Sequence, residues 1–524
     1  MRSGKRFALS ILGALALSFI AAAPSGAQDP PRDPQRPHTG NMDLVGQTLR
    51  AGAPFGPPPA GPGTVPWDTR NTDLAFWKKT VIQGRYDGFR IIDVSNPRRP
   101  RERAHFPCVS PQGDVGVYKN LVFRSVDSAQ RTDTCTSVSQ SGSPTGADCA
   151  PAPSPCTGFE GIQIFDIRNV NNIRHIASVP LDCGSHTHTV VADERRDRVL
   201  IYNSVSGTGR QANPGKYGNQ CPGEPFGRED IVEVPLDDPE EAEVIGSFDL
   251  GENPNGEMMQ GCHDMGVILG RVDLAACAGH PMGIAVFDIR DLDDPEFLYS
   301  LELEREGPGN MVHGWHSAAF TWDGRQIIGG WEPGGGTQPR CQVTGAPLTD
   351  DPEEPYQTDV MKTLFIYDSS SRALIGEHTL PRPQSQWENC TMHNYNIVPD
   401  TRRRLLVHGS YQAGTALMDF TDPMDTYEIA WMDPLPLDPP VNGVGGGRTN
   451  FRGGDWASYW YNGYIYESDA RRGLYIWKVH ARELRGRQVK LDYLNPQTQH
   501  VSIDRNGRVS GDDDRDRDRD RDRD

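Results

Sequence analysis

Apolar residues come along this chain in short bursts, most of them opened by a glycine and closed by an aspartate and a turn. The clearest is Asp87-Gly88-Phe89-Arg90-Ile91-Ile92-Asp93-Val94-Ser95-Asn96-Pro97. Its apolar run has the length of one strand, and Ser-Asn-Pro stops it. Gly161-Ile-Gln-Ile-Phe-Asp166 and Gly283-Ile-Ala-Val-Phe-Asp288 are close copies. Thr363-Leu-Phe-Ile-Tyr-Asp368 and Gly414-Thr-Ala-Leu-Met-Asp419 follow the same pattern, and Ile231 to Pro239 and Gly473 to Lys478 are degenerate versions of it. Seven copies, roughly 50 to 80 residues apart with no helical period between them, predict an all-β chain built from one repeated unit.

Phe89 to Pro97 resembles, nearly letter for letter, the signature of the LVIVD repeat of bacterial and archaeal surface or secreted β-propellers. The resemblance covers about residues 70 to 480. It implies a seven-bladed β-propeller of four-stranded antiparallel blades, placed at residues 67–485. Such a repeat speaks for a fold and for no single activity, because propellers carry many functions.

In a propeller blade the first of four antiparallel strands lines the axis and the others zigzag outward. The repeated phrase fits the third strand. Reading back from each copy gives seven openings for a first strand, each an ionisable residue before a short apolar run: Asp73, Asp114, His188, His263, His316, His393 and Asp455. The distance to the third-strand anchor is similar in the compact blades: 20 residues from Asp73 to Asp93, 25 from His263 to Asp288, 26 from His393 to Asp419 and 23 from Asp455 to Lys478. Insertions at about 125–157, 205–228 and 331–360 fall between the second and third strands. They are expected on the face where the first strands begin.

The LVIVD pattern usually has Asp at this opening. Here four consecutive blades carry His188, His263, His316 and His393 instead, out of 14 histidines in all. Imidazole suits copper, iron and zinc, so these four are the expected ligands of an axial transition metal whose identity stays open. His186, His313 and His280 are candidates for supporting or alternative positions, and Asp73, Asp114 and Asp455 for the remaining arc facing a bound molecule. Two other readings stay open: imidazoliums binding an anion at low pH, or histidines filling the structural place of Asp. The third-strand acids Asp93, Asp166, Asp288, Asp368 and Asp419 are expected to cap turns.

The function follows less directly. Selenium-binding or methanethiol-oxidase proteins and carotenoid-cleaving oxygenases are propellers with axial histidines, which by analogy suggests a metal-dependent oxidoreductase acting on a small molecule. The alternative is a non-enzymatic module binding a cell-surface partner. No nucleophile elbow, phosphate loop or placeable carboxylate pair is present. The net charge of −18 argues against a nucleic-acid surface.

Met1–Ala27 reads as a secretory signal peptide: Arg2, Lys5 and Arg6, then an apolar run, then Ser25-Gly26-Ala27. No later segment is apolar enough to span a membrane. Residues 28–66 are rich in Pro and Gly and are expected to be a disordered arm. Residues 486–524 form a C-terminal extension whose Asp-Arg alternation from Asp512 is expected to be disordered. Ten cysteines without CxxC spacing fit disulfides in an oxidising compartment, secreted, periplasmic or at the cell surface.

Overall fold

The computed structural model describes residues 36–49 and 70–501, apart from 109–111, 131–134, 136–158, 206–226, 253–255, 257, 271, 281–282, 304–314, 333–340, 342–361, 385–387, 401, 436–453 and 486–487. The segment expected to be a signal peptide, most of the Pro-rich segment, the Asp-Arg tail, His313 and the greater part of the three insertions lie outside the described residues.

Seven antiparallel sheets form a propeller ring. Blade 1 takes Asn71–Trp77, Thr80–Arg85, Gly88–Asp93 and Arg101–Pro107 in that order. The innermost strands of blades 2 to 7 are Val115–Tyr118, Thr187–Asp193, Gln260–Ile268, Trp315–Phe320, Asn394–Ile397 and Asp455–Tyr461. The repeated phrase supplies the third strand throughout, from Gly88–Asp93 to Gly473–Val479. The only helix among the described residues is the short Pro239–Glu241 turn. None is long and apolar enough to cross a membrane.

Each blade buries both faces against its neighbours, as repeat architectures require. Phe89 and Ile91 of blade 1 pack on Val115, Val122 and Phe165 of blade 2, and Phe159–Asp166 is buried along its whole length. Outer strands such as Glu243–Asp249 are mostly exposed. The glycine that opens the repeat is needed for its backbone. Gly88 has φ +137 and Gly161 φ +145, and a Cβ at Gly88 would stand 1.9 Å from the Phe106 carbonyl. The aspartates that close it cap turns. Asp93 accepts from the Ser95 amide at 2.9 Å, Asp288 from Arg290 at 3.0 Å and Asp419 from Thr421 at 2.8 Å.

Both chain ends enter the ring, which corrects two expectations. Met42–Leu49, inside the supposed arm, pairs antiparallel with Gly473–Val479 as the outer strand of blade 7. Arg36 is buried just before it, bonded to Glu467 and Asp469, with its guanidinium 3.6 Å from the Tyr475 ring. The last blade therefore takes its fourth strand from the chain's beginning. The C-terminal extension is not wholly outside either. Tyr493–Leu494 joins the inner edge of blade 1, and Thr498–Gln499 pairs parallel with Val267 and Ile268 of blade 4. Asn495 bonds both the N–H and the carbonyl of Val117, and Thr498 donates to the Val190 carbonyl at 2.7 Å. This segment thus touches the inner strands of blades 1 to 4, at the ends away from the histidines.

Disulfides join Cys108 to Cys135, Cys262 to Cys277 and Cys341 to Cys390, and Cys183 is also disulfide-bonded. Among the described residues no cysteine is free.

Candidate metal centre

Every residue picked out as the opening of a first strand stands at or just before one: Asp73, Asp114, His188, His263, His316, His393 and Asp455. Their side chains do not all go to one place.

Four imidazoles form an arc at the axis. His186 precedes the inner strand of blade 3, and His263, His316 and His393 come from blades 4, 5 and 6. Successive ring centroids are 4.4, 3.9 and 4.3 Å apart. Tyr411 stacks beyond His393 at 4.4 Å. Glu332, just after Gln326–Trp331 of blade 5, completes the group. Its Oε2 is 3.7 Å from His316 Nε2 and its Oε1 3.9 Å from His393 Nε2. One ligand atom each from His263, His316 and Glu332 lie within 4.8 Å of one another, and all three residues are buried. Two histidines and a carboxylate are a donor set used by zinc and by non-haem iron.

The outward nitrogens are tied, which sets the tautomers. His186 Nδ1 is 3.1 Å from Asp127 Oδ2, and His263 Nδ1 is 3.2 Å from Asp264 Oδ1. His393 Nδ1 donates to the Trp456 carbonyl at 2.7 Å. His316 Nδ1 is 2.5 Å from Ser317 Oγ, which bonds Asp264 Oδ2 at 3.0 Å. A carboxylate or carbonyl only accepts, so Nδ1 carries a proton in His186, His263 and His393, and Nε2 is the nitrogen left for the interior. Metal-binding histidines are regularly held this way.

The electrostatics favour a cation. Asp127, Asp264 and Glu332 surround the imidazoles, and Tyr411 donates to Glu332 Oε1. Burial pushes the His393 imidazole down to about 3, so it is neutral at physiological pH. Burial alone would raise Asp264, but the hydrogen bond from His263 holds it below the usual carboxylate value. A cavity of about 30 Å³, bordered by Asp264, Ser317, Asn394 and Tyr459, separates this level from Leu494 and Pro496 of the C-terminal segment.

His188 is not part of the arc, contrary to expectation. Its Nδ1 is 2.7 Å from Ser125 Oγ of blade 2, its Nε2 is buried without a hydrogen-bond partner, and a Cβ on Gly116 would stand 2.9 Å from that Nε2. Burial pushes it down to about 3. The ladder explains the difference. The inner hairpin of blade 3 pairs without interruption, Thr187 to Ser204 through Asp193 to Arg198. Thr187 and Thr189 then face blade 4, where they bond the carbonyls of His263 and Met265, and His188 must face blade 2. In blades 4 and 5 the register shifts between Cys262 and Met265 and between Trp315 and Ser317. Bulges of this kind re-aim a side chain, and two of them accompany His263 and His316, whereas His393 joins the arc from just before the regular inner ladder of blade 6.

The three aspartates do not line one arc either. Asp455 accepts from Thr415 and Ser458 hydroxyls, which ties it between blades 6 and 7. Asp73 accepts from Tyr459 at 2.6 Å and the Leu74 amide at 2.8 Å, and burial pushes it up to about 7. Asp114 is buried, raised by burial and by Asp73, Asp264 and Asp127. His280 ends a strand of blade 4, paired with Gln260.

Sequence reasoning missed Glu332, Asp264 and Asp127 and gave His186 a supporting place. Glu332 opens an insertion expected on this face, and Asp264 follows His263 directly, so both had a signal. Asp127 had none.

No family model and no curated protein matches this chain. Solved structures do match, among them the crystal structure of the computationally designed Ika8 protein, at 10% identity and a TM-score of 0.38 over 79% of this chain and 97% of that one. At that distance the likeness carries no argument about function.

Proposed function

We propose that this chain is an exported LVIVD-type propeller that holds a transition metal (copper, iron or zinc) at its axis and uses it to oxidise a small molecule. One observation carries the reading: four imidazoles from four successive blades stand side by side, His186 Nε2 against His263 Nε2 and the Nε2 atoms of His316 and His393 beside Glu332, while their Nδ1 atoms are fixed by Asp127, Asp264, Ser317 and the Trp456 carbonyl. His263, His316 and Glu332 are the core donors, with His186 and His393 flanking them. A bound metal supplies a Lewis acid with positions left for oxygen or substrate.

This chain's own residues do the rest. Asp264 orients His263 directly and His316 through Ser317. Tyr411 holds Glu332 by a hydrogen bond and flanks His393. Export is supported by the Met1–Ala27 pattern and by the disulfides.

Elemental analysis of the mature protein tests the reading, beside a His263→Ala/His316→Ala variant that keeps its fold. The variant is expected to hold about one equivalent of metal less than the mature protein, the share of one axial site. Copper or iron selects oxidation. No metal in either protein after supplementation sinks the axial site and leaves a module that binds a cell-surface partner through its loop-bearing face.

A further inference from the structure

Away from the axis, a second group of donors sits where blade 5 meets blade 6. His378 lies on Leu374–Thr379, the outer strand of blade 5. His408 lies on Leu405–Gly409 and Glu428 on Tyr427–Met432, the second and outer strands of blade 6. One ligand atom from each falls within 4.8 Å of the others. His378 is 2% exposed and His408 0%.

Both imidazoles have an Nε2 that is buried without a hydrogen-bond partner. Such a nitrogen is costly in the folded state, and buried polar groups are normally satisfied. Two of them beside one carboxylate call for a shared partner. The tautomer of His378 is readable. The Thr426 hydroxyl gives its hydrogen to the Glu377 carbonyl at 3.1 Å, so at 3.0 Å it accepts from His378 Nδ1. Nε2 of His378 therefore carries the lone pair. His408 Nδ1 is likewise tied, 2.8 Å from Ser410 Oγ. Arg382 is the cation that faces this group. It bonds Glu428 Oε1 and donates to the Ala413 carbonyl at 2.7 Å, with its guanidinium 5.2 Å from the Trp431 ring. So anchored, it fixes the carboxylate by one oxygen and leaves the other.

We infer that His378, His408 and Glu428 form a second, structural metal site, taking Zn²⁺ with a water as fourth ligand and fastening blade 5 to blade 6. Two imidazoles and a carboxylate are a zinc donor set, and the hydroxyls and arginine behind them orient the donors as metal sites require. The inference is independent of the axial centre.

The test uses the full mature chain carrying His263→Ala and His316→Ala, so that the axial donors are removed. After equilibration with Zn²⁺ and removal of free metal, it should keep about one equivalent. Adding His378→Gln and His408→Gln should abolish that zinc, and Co²⁺ in its place should show the visible bands of a four-coordinate nitrogen–oxygen site. Absence of zinc from the folded axial variant overturns the site, as does zinc that survives the glutamine substitutions. Should the glutamine variant not fold, Glu428→Gln alone decides: a loss of zinc affinity of about ten-fold or more supports the site, and unchanged affinity overturns it.

Discussion

His186 Nε2 lies 2.9 Å from His263 Nε2, although each ring gives its other nitrogen to a carboxylate, Asp127 for His186 and Asp264 for His263. Two neutral imidazoles so arranged turn lone pairs toward each other, which is repulsive. A cation between them removes the conflict. Two nitrogens bound to one ion at about 2.0–2.1 Å stand about 3 Å apart at a right angle, so the spacing suits shared ligation as well as a shared proton.

Asp264 is the residue on which that arrangement turns, because it holds His263 directly and His316 through Ser317. Asp264→Asn keeps the size and removes the charge. Metal affinity is expected to fall about 10- to 100-fold with the circular dichroism spectrum unchanged. A chelator-competition titration measures it, and an affinity equal to wild type would show that Asp264 plays no part in holding the ligands.

His186 and His188 separate site from scaffold. His186→Ala should weaken metal binding with little effect on stability. His188→Ala should leave metal content unchanged and cost about 2–4 kcal/mol, as other large-to-small changes in a packed interface do. Elemental analysis and urea unfolding of both variants decide it. If His188→Ala lost the metal and His186→Ala did not, the assignment would have to be reversed.

The two histidines also show where the sequence stops being readable. The place of each inner strand was legible, because a repeated phrase, at similar spacing in the four compact blades, marks where a first strand lies. The direction of the side chain was not. The ladder is bulged between Cys262 and Met265 beside His263 and regular from Thr187 to Asp193 around His188, and no residue type at those positions announces which. The closing strand was hidden for another reason. Met42–Leu49 pairs with residues at the far end of the chain, and the prolines and glycines on either side of it dominate any local reading of composition.

Asp87, in the turn of the repeated phrase, makes stability depend on pH at the acid end. Arg85 donates to it through two nitrogens, at 2.7 and 2.9 Å. Burial alone would raise this carboxyl, but the hydrogen bond from His105 and the charge of Arg85 bring it down to about 2 from an ordinary 3.8. The folded value is below the unfolded one, so the contribution is fully present above about pH 4 and is lost as pH falls toward 2. Asp87→Asn should therefore lower stability by about 1–2 kcal/mol at pH 7 and by much less near pH 2. Urea midpoints at the two pH values test this, and an equal loss at both would remove the ion pair as the cause.

Arg36 closes the ring by charge as Met42–Leu49 closes it by hydrogen bonds. Its guanidinium is fully buried between Glu467 and Asp469. Glu467 also accepts from Trp477 Nε1 at 2.7 Å, and Asp469 from Arg472 at 3.2 Å. Burial raises Glu467, so without Arg36 this carboxylate is the group left stranded. Removing one partner of a buried ion pair costs about 3–5 kcal/mol, chiefly through the charge left behind. Arg36→Ala should lose stability on that scale, little changed by salt because the pair is shielded from solvent. Adding Glu467→Gln should then recover part of the loss, since the stranded charge is gone. The four proteins of this cycle, compared by urea unfolding at neutral pH, separate the pair from simple loss of packing. Additive losses would mean that Arg36 acts through its contact with Tyr475 rather than through its charge.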